Sequence, residues 1–509
     1  MQDKLKFPVY PVFVGAVPAL AVYSANIALL PLSQLWVPLL VGVGITTLLT
    51  LAVYPIFRNW DRAAILSSVL FIAFCGFANA TTPLIGVEGP APVYVFYGVA
   101  VAVAGFCAVR FIRPSVFPNL FFFLLVAILS GNTVGKILLQ HQFRQTFAHS
   151  NPVKPLVNLP DIYYIILDGY GRSDVFREKY GFDDSPFVTG LKDSGFYVAA
   201  DARSNYCQTE ISLASSLNFD HIPTLLPAIS PTDNSRQPLD ELIRHSHIQA
   251  ELKSLGYESI AITTGFPPID FPESEQNFRV IGGLNLLESS IIQLTPLGKV
   301  DGVMASLFVK RKTWILEAFQ SLTLMAGHSS RPRFVVVHIL APHPPFVFRA
   351  DGTLSQRTQH FGYQDGSDYM EQGGTVADYV SGYSGQATFV GAKTLAAVRE
   401  TLAKSKDAIV IVQGDHGPKA HLNQNDIKKT DLDECFPILN ALHLPDSMKA
   451  SLYPGITPVN TFRVVLNGLA GETLPMLPDG SFYSGFSQPY TFTDVTAKLR
   501  PRTPATSLQ

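Results

Sequence analysis

Cysteine is scarce, and four residues in a chain of 509 cannot make a disulfide framework. Cys75 and Cys107 fall inside apolar runs, which leaves Cys207 and Cys435 as the two that could pair. Charge is scarce as well: Asp, Glu, Lys and Arg make up 15% of the chain and the net charge is −2. That balance offers no basic surface for a nucleic acid. No internal repeat is present, so repeat architectures are excluded. What is abundant is apolar side chain, at 47% of residues with a mean hydropathy of +0.21, too much for the cores of a soluble protein of this length. The excess is concentrated at the front.

Five long apolar stretches follow one another there: Val9 to Leu30, Leu35 to Phe57, Ala63 to Ile85, Val93 to Ile112 and Val116 to Gly135. Each is about long enough to cross a hydrocarbon core of roughly 30 Å as a helix. A cleaved signal peptide is excluded, because one short apolar segment does not account for five. Lys4 and Lys6 precede the first stretch, Arg58 and Arg62 follow the second, and Arg110 and Arg113 follow the fourth, while the other two connections carry no Lys or Arg. This bias predicts a cytoplasmic N-terminus and an extracytoplasmic chain after the fifth span.

The polar, proline-bearing stretch 140–160 suits a juxtamembrane linker. Beyond it, apolar strand-like runs alternate with helical patterns. Ile162 to Leu167, Phe196 to Ala200, Ser259 to Thr264, Phe334 to Ile339 and Ala408 to Val412 read as strands. Leu239 to Leu255 and Val376 to Ala403 read as helices, the latter with Tyr379, Tyr383, Ala387 and Val390 on one face. Phe436 to Leu444 is a further strand and Ile456 to Asn467 a capped helix, with Thr457 ahead of Pro458. Pro267 to Gln276 reads as an irregular loop and the tail from Pro501 as disordered. The alternation predicts an α/β domain with a mostly parallel sheet between layers of helices. The expected division is a five-helix transmembrane domain over 1–139, a linker over 140–160, a catalytic domain over 161–500 and a tail over 501–509.

The domain is organised around Asp161 to Arg172, DIYYIILDGYGR, a buried strand stopping at Asp168. Ligands of open α/β sheets bind at the carboxyl ends of strands, so Asp168 is placed to hold a metal; the plain alternative is that it caps a helix near Ser173. In AIVIVQGDHGP a second strand ends in Asp415 and His416, which can offer an oxygen and a nitrogen to one ion, unless the turn is merely a surface feature. His343 follows a third strand in FVVVHILAPHPPFVF, where it could bind an anion or protonate a leaving group, while His338 within the strand reads as a core histidine. In SNYCQTEISLASSLN, Thr209 precedes a short helical pattern. Its hydroxyl is an N-cap or, if a metal lowers its pKa, a nucleophile, with Cys207 as the rival two residues away.

This arrangement of strand–Asp–Gly, Thr at a helix start and strand–Gly–Asp–His–Gly resembles the alkaline phosphatase and sulfatase superfamily. With five spans in front, it resembles lipoteichoic acid synthases and lipid A phosphoethanolamine transferases. The resemblance implies an alkaline-phosphatase-like catalytic domain in which Asp168, Thr209, Asp415 and His416 bind one divalent metal, Zn or Mn. It further implies Thr209 as nucleophile and His343 on the substrate phosphate. Arg172 and His421 are weaker candidates for the same pocket, Arg172 as a phosphate fork and His421 near a second metal or in solvent. One departure is Asp168 itself, where those transferases usually carry Glu. A formylglycine sulfatase is not supported, since the sequence around Cys207 has neither the Pro nor the Arg of that motif.

The expected activity is transfer of a phospholipid headgroup, of the phosphoglycerol or phosphoethanolamine class, to a cell-envelope glycan or lipid through a phospho-threonine. The expected location is the bacterial inner membrane with the catalytic domain outside. A membrane-tethered hydrolase using water uses the same residues, and a non-catalytic envelope scaffold is the third reading.

Overall fold

A computed structural model describes residues 7–26, 30, 32–88, 90–111, 116–146, 159–263, 269, 271, 273–279, 285–327, 329–355, 364–471 and 473–500. The expected tail over 501–509 and most of the expected linker lie outside the described residues. The chain forms two compact units. One takes Met1–Gln142 together with Gly282–Leu307; the other takes Phe143–Ile281 and Phe308–Gln509. The stretch 282–307 thus joins the N-terminal unit, although it lies inside the range expected for the α/β domain.

The N-terminal unit contains α1 (Tyr10–Ala25), α2 (Trp36–Phe57), α3 (Trp60–Cys75), α4 (Phe77–Glu88), α5 (Pro90–Phe111) and α6 (Val116–Thr146). Among the described residues, three segments, Leu32–Phe57, Ala91–Arg110 and Phe117–Gly135, are long and apolar enough to cross a membrane. The first expected span is a shorter apolar helix of 16 residues. The third is divided between α3 and α4 at Gly76, and the fifth continues past Gly135 to Thr146, into the stretch expected to be linker. Leu48, Phe117 and Ile128 are each two-thirds exposed or more, which a hydrocarbon surround permits and water does not favour.

The second unit is built on a seven-stranded sheet of order β2-β7-β6-β1-β5-β3-β4. Its strands are β1 (Ile162–Leu167), β2 (Tyr197–Val198), β3 (Glu258–Thr263), β4 (Gln276–Arg279), β5 (Arg333–Ile339), β6 (Ile409–Gly414) and β7 (Asn440–His443). β6, β1, β5, β3 and β4 run parallel, and β7 is antiparallel to β6 and β2 to β7. Every residue of β1, β5 and β6 is buried, as their β-branched and aromatic composition requires of strands covered on both faces. A hairpin of β8 (Phe482–Gly485) and β9 (Gln488–Asp494) forms a separate two-stranded sheet.

Helices α7 (Ser185–Asp193), α8 (Thr209–Leu217), α9 (Gln237–Arg244) and α10 (His247–Ser254) come between β1 and β3. The helix expected over Leu239 to Leu255 is therefore two, broken at His245 and Ser246, where Ser246 takes an extended conformation at the start of α10. Next come α11 (Leu286–Leu294), α12 (Asp301–Leu324), α13 (Val376–Lys404) and α14 (Pro458–Ala470). Thr457 sits ahead of α14 as expected, but its hydroxyl donates to Asp479 at 2.7 Å instead of capping the helix.

Candidate metal centre

Adjacent parallel strands place the chemistry. β1 lies between β5 and β6, and Leu167 at its end is in register with Ile339 of β5 and Gly414 of β6. The next residue after β1 is Asp168, the next two after β6 are Asp415 and His416, and His343 lies four beyond β5. All therefore emerge at the carboxyl ends of three neighbouring strands, the edge where α/β sheets bind ligands. Gly414 lets the turn close. A Cβ there would stand 2.2 Å from the carbonyl oxygen of Tyr170, and one on Gly417 would stand 2.3 Å from that of Glu434.

Asp168, Asp415 and His416 are fully buried, with ligand atoms within 4.8 Å of one another. His416 Nδ1–H donates to the Gly417 carbonyl at 2.8 Å, which leaves the Nε2 lone pair facing the cluster. Nε2 lies 3.4 Å from Asp168 Oδ1 and 3.5 Å from Asp415 Oδ2, and the Thr209 hydroxyl reaches it at 3.1 Å. Asp415 Oδ1 accepts from Gly169 N at 2.8 Å, but Asp168 Oδ1 and Asp415 Oδ2 have no hydrogen-bond partner although both are buried. Two orphaned carboxylate oxygens and a hydroxyl, each within 3.5 Å of one imidazole nitrogen, form a donor set suited to a divalent cation. Thr209 is the first residue of α8, not its cap, which is Gln208. Ser212, one turn on, donates to the Asp415 carbonyl at 2.6 Å and ties this helix to the metal loop.

The protonation states agree with that use. Burial alone would raise the Asp168 carboxyl, but His343, His338 and His416 outweigh it and hold the group far below the usual carboxylate range. Burial lowers the His416 imidazole, favouring its neutral form. These are the ionised and neutral forms a metal requires.

Beside this set lies a second group. His343 Nδ1–H donates to Pro344 O at 2.7 Å and its Nε2 lies 3.3 Å from Asp365 Oδ2, while Lys419 Nζ is 3.4 Å from the same oxygen. Tyr379 donates to Asp365 Oδ1 at 2.6 Å. Asp365 is buried, yet its carboxyl is held low because His343, Lys419 and His416 oppose the effect of burial. Asp365 and Lys419 carried no signal in the sequence, since both sit in loops between periodic segments. His338, expected to be a satisfied core histidine, is a correction: neither ring nitrogen has a hydrogen-bond partner, and Nε2 faces Asp168 Oδ2 at 3.4 Å.

No protein-family model matches the chain, and no curated protein sequence matches it. Solved structures do. The C-terminal periplasmic domain of EcEptC from Escherichia coli is 12% identical over 68% of this chain and 97% of that one, at a TM-score of 0.43. The lipooligosaccharide phosphoethanolamine transferase A (EptA) from Neisseria meningitidis, an integral membrane protein, is 11% identical over 90% of this chain and 95% of its own, at 0.38. Phosphonate monoester hydrolase of Agrobacterium radiobacter is 12% identical over 64% and 80%, at 0.42. The structural neighbours are transferases, a hydrolase and sulfatases. Likeness at this level gives no residue a role.

Two candidates stand apart from the cluster in the contacts they make. Arg172 gives its guanidinium to Asp174 at 2.6 and 2.7 Å, to Asp201 at 2.9 Å and to the Ala202 carbonyl, so it braces the loop after β1 where a phosphate fork was expected. His421 is half exposed and pairs with Glu434 at 2.9 Å, a hydrogen bond that raises its pKa. Cys207 and Cys435 are both free thiols, buried in one small apolar cluster.

Proposed function

We propose that the protein is a membrane-bound, metal-dependent phosphoryl-group transferase of the alkaline phosphatase and sulfatase superfamily. In this reading Asp168, Thr209, Asp415 and His416 hold one divalent ion, Zn or Mn. Such an ion supplies a Lewis acid and makes a bound hydroxyl a usable nucleophile near neutral pH. Thr209 would give up its hydroxyl proton to solvent as a bound ion lowers its pKa, and Oγ1 attacks phosphorus in line: the Oγ1–phosphorus bond forms and the bond from phosphorus to the departing lipid oxygen breaks. His343 Nε2, beside Asp365, gives that oxygen its proton, and Lys419 pairs with the non-bridging oxygens. His338 braces Asp168 from behind. An acceptor hydroxyl or amine then gives its proton to His343 Nε2, attacks the phospho-threonine and releases Thr209.

The donor is a phospholipid carrying a phosphoglycerol or phosphoethanolamine headgroup and the acceptor a glycan or lipid of the cell envelope. The N-terminus is cytoplasmic, the membrane is the bacterial inner membrane, and the α/β unit works outside it. One observation carries the reading: two buried, unpartnered carboxylate oxygens and the hydroxyl of Thr209 all lie within 3.5 Å of His416 Nε2.

The test is mass spectrometry of the intact protein after incubation with phospholipids of defined headgroup. A phosphoryl-headgroup increment on the Thr209 peptide, absent in Thr209→Ala, is expected. Metal analysis should give one ion per chain and none in Asp415→Ala. A metal-free wild-type protein, or no increment with any headgroup, would sink the proposal.

A further inference from the structure

The N-terminal unit holds a cavity that the proposed chemistry does not use. Its volume is about 660 Å³, and it lies among α1, α3, α4, α6 and α11. One end is lined by Val14, Phe122 and Leu125; along its length run Pro18, Ala21 and Ile72. Its polar lining residues are Asn26, at the C-terminal end of α1, Asn79 and Ser290, the last on α11. The lining is apolar with an amide and hydroxyl rim, and none of the lining residues is charged.

Size decides what fits. From Val14 to Asn26 the wall follows α1 for about 18 Å, close to one leaflet of a hydrocarbon core about 30 Å thick. A single flexible chain fits. Polarity then sets its direction, because an unbranched hydrocarbon with an ester-bearing end matches an apolar trough that finishes in two carboxamides and a hydroxyl.

We infer that this groove holds one hydrocarbon tail of a membrane phospholipid, with the glycerol end of the lipid at Asn26, Asn79 and Ser290. The assignment of that lipid to the outer leaflet, though not the ligand itself, rests on the topology proposed above. The α11 side of the groove explains why 282–307 belongs to this unit: Leu287, wholly buried, and Ile291 pack with Ala16, Ala19, Leu20 and Tyr23 of α1.

The experiment uses the full chain in bilayer discs containing a phospholipid with a photoactivatable diazirine in its tail. After irradiation, peptide mapping is expected to place adducts on α1, α3, α6 and α11 residues of the groove. Ala21→Trp and Ala25→Trp, both at exposed positions lining the groove, fill it from the middle and from the rim. Each should lower adduct yield about tenfold, as displacing roughly two buried methylenes would. Val41→Trp, on the exposed face of α2 and outside the groove, should leave the yield unchanged. Thr209→Ala should also label normally, so failure of the proposed chemistry and failure of the groove are separable. Adducts spread evenly over α2, or undiminished in both groove variants while those variants run as monodisperse as wild type, would overturn the inference.

Discussion

Thr209 has its chain neighbours held by a single guanidinium. Arg236 pairs with Glu210 and Gln208 and donates to the Phe486 carbonyl at 3.0 Å, lying 4.0 Å over the Phe486 ring. Arg236, Glu210 and Gln208 are buried, so removing only the cation strands a carboxylate at 6% exposure. Arg236→Met is expected to cost about 3–5 kcal/mol of stability. Adding Glu210→Met should restore most of that loss, since a buried pair is often replaceable by apolar side chains. Turnover should remain down by about 100-fold in the double variant, because the backbone around Thr209 loses its anchor. Thermal melts and steady-state rates check it, and equal recovery of both would refute the positioning role.

A second residue sets a pH dependence away from the site. Burial pushes the Asp184 carboxyl from its ordinary 3.8 up to about 6. The folded state therefore binds the proton more tightly than the unfolded chain. The linked stability is fully present below pH 3.8 and is lost as pH rises through about 6, a penalty of about 3 kcal/mol at neutral pH. Asp184→Asn should raise the melting temperature at pH 7.5 and flatten its fall between pH 4 and pH 6. An unchanged slope across that window would show that Asp184 is not the group responsible. The residues that sequence made legible are those that interrupt a pattern: Asp168 and Asp415 each end a β-branched run, and Thr209 opens a helical one. His338 does not interrupt its strand, and only the folded sheet brings its Nε2 to 3.4 Å from Asp168 Oδ2. Asp365 is brought in by tertiary contacts alone, and Arg172 bonds to Asp174, Asp201 and the Ala202 carbonyl, contacts that no sequence pattern announces.

At the scale of elements, the strand ends do the positioning, and the glycines after β6 permit it. Gly414→Ala would drive a methyl group against the Tyr170 backbone and push the Asp415 turn out of line. The expected result is a loss of about 1–3 kcal/mol, as in other overpacked sites, with reduced metal content per chain. Gly417→Ala, against the Glu434 carbonyl, should behave alike, whereas Gly455→Ala, with nothing within 4 Å, should do neither. Metal analysis beside thermal melts reads both effects. Full metal occupancy in Gly414→Ala would mean the turn tolerates displacement. Central strands were readable because burial on both faces demands continuous apolar runs. The break between α9 and α10 was not, since apolar spacing runs on through His245 and Ser246 while the backbone does not.

The whole molecule is divided by contact and not by a single cut in the chain. Every residue of the candidate site, from Asp168 to His421, belongs to the unit made of 143–281 and 308–509, while α11 belongs with the apolar helices. A protein begun at residue 143 therefore retains α11 but loses the α1 surface that buries Leu287 and packs Ile291. It should associate without detergent, because an apolar helix face left in water is an aggregation surface. Replacing 282–307 with a short Gly/Ser linker in the same truncated chain removes that face and leaves the sheet, the metal ligands and Thr209 in place. This version should run as a monodisperse soluble species on size exclusion, bind one metal per chain and accept a headgroup from a water-soluble short-chain donor. It should lose transfer from bilayer phospholipid, since the tail groove went with the helices. If the two truncations behave identically in solution, 282–307 is not an integral part of the membrane unit; if the soluble version still draws on bilayer lipid at the full rate, the groove has no part in delivering the donor.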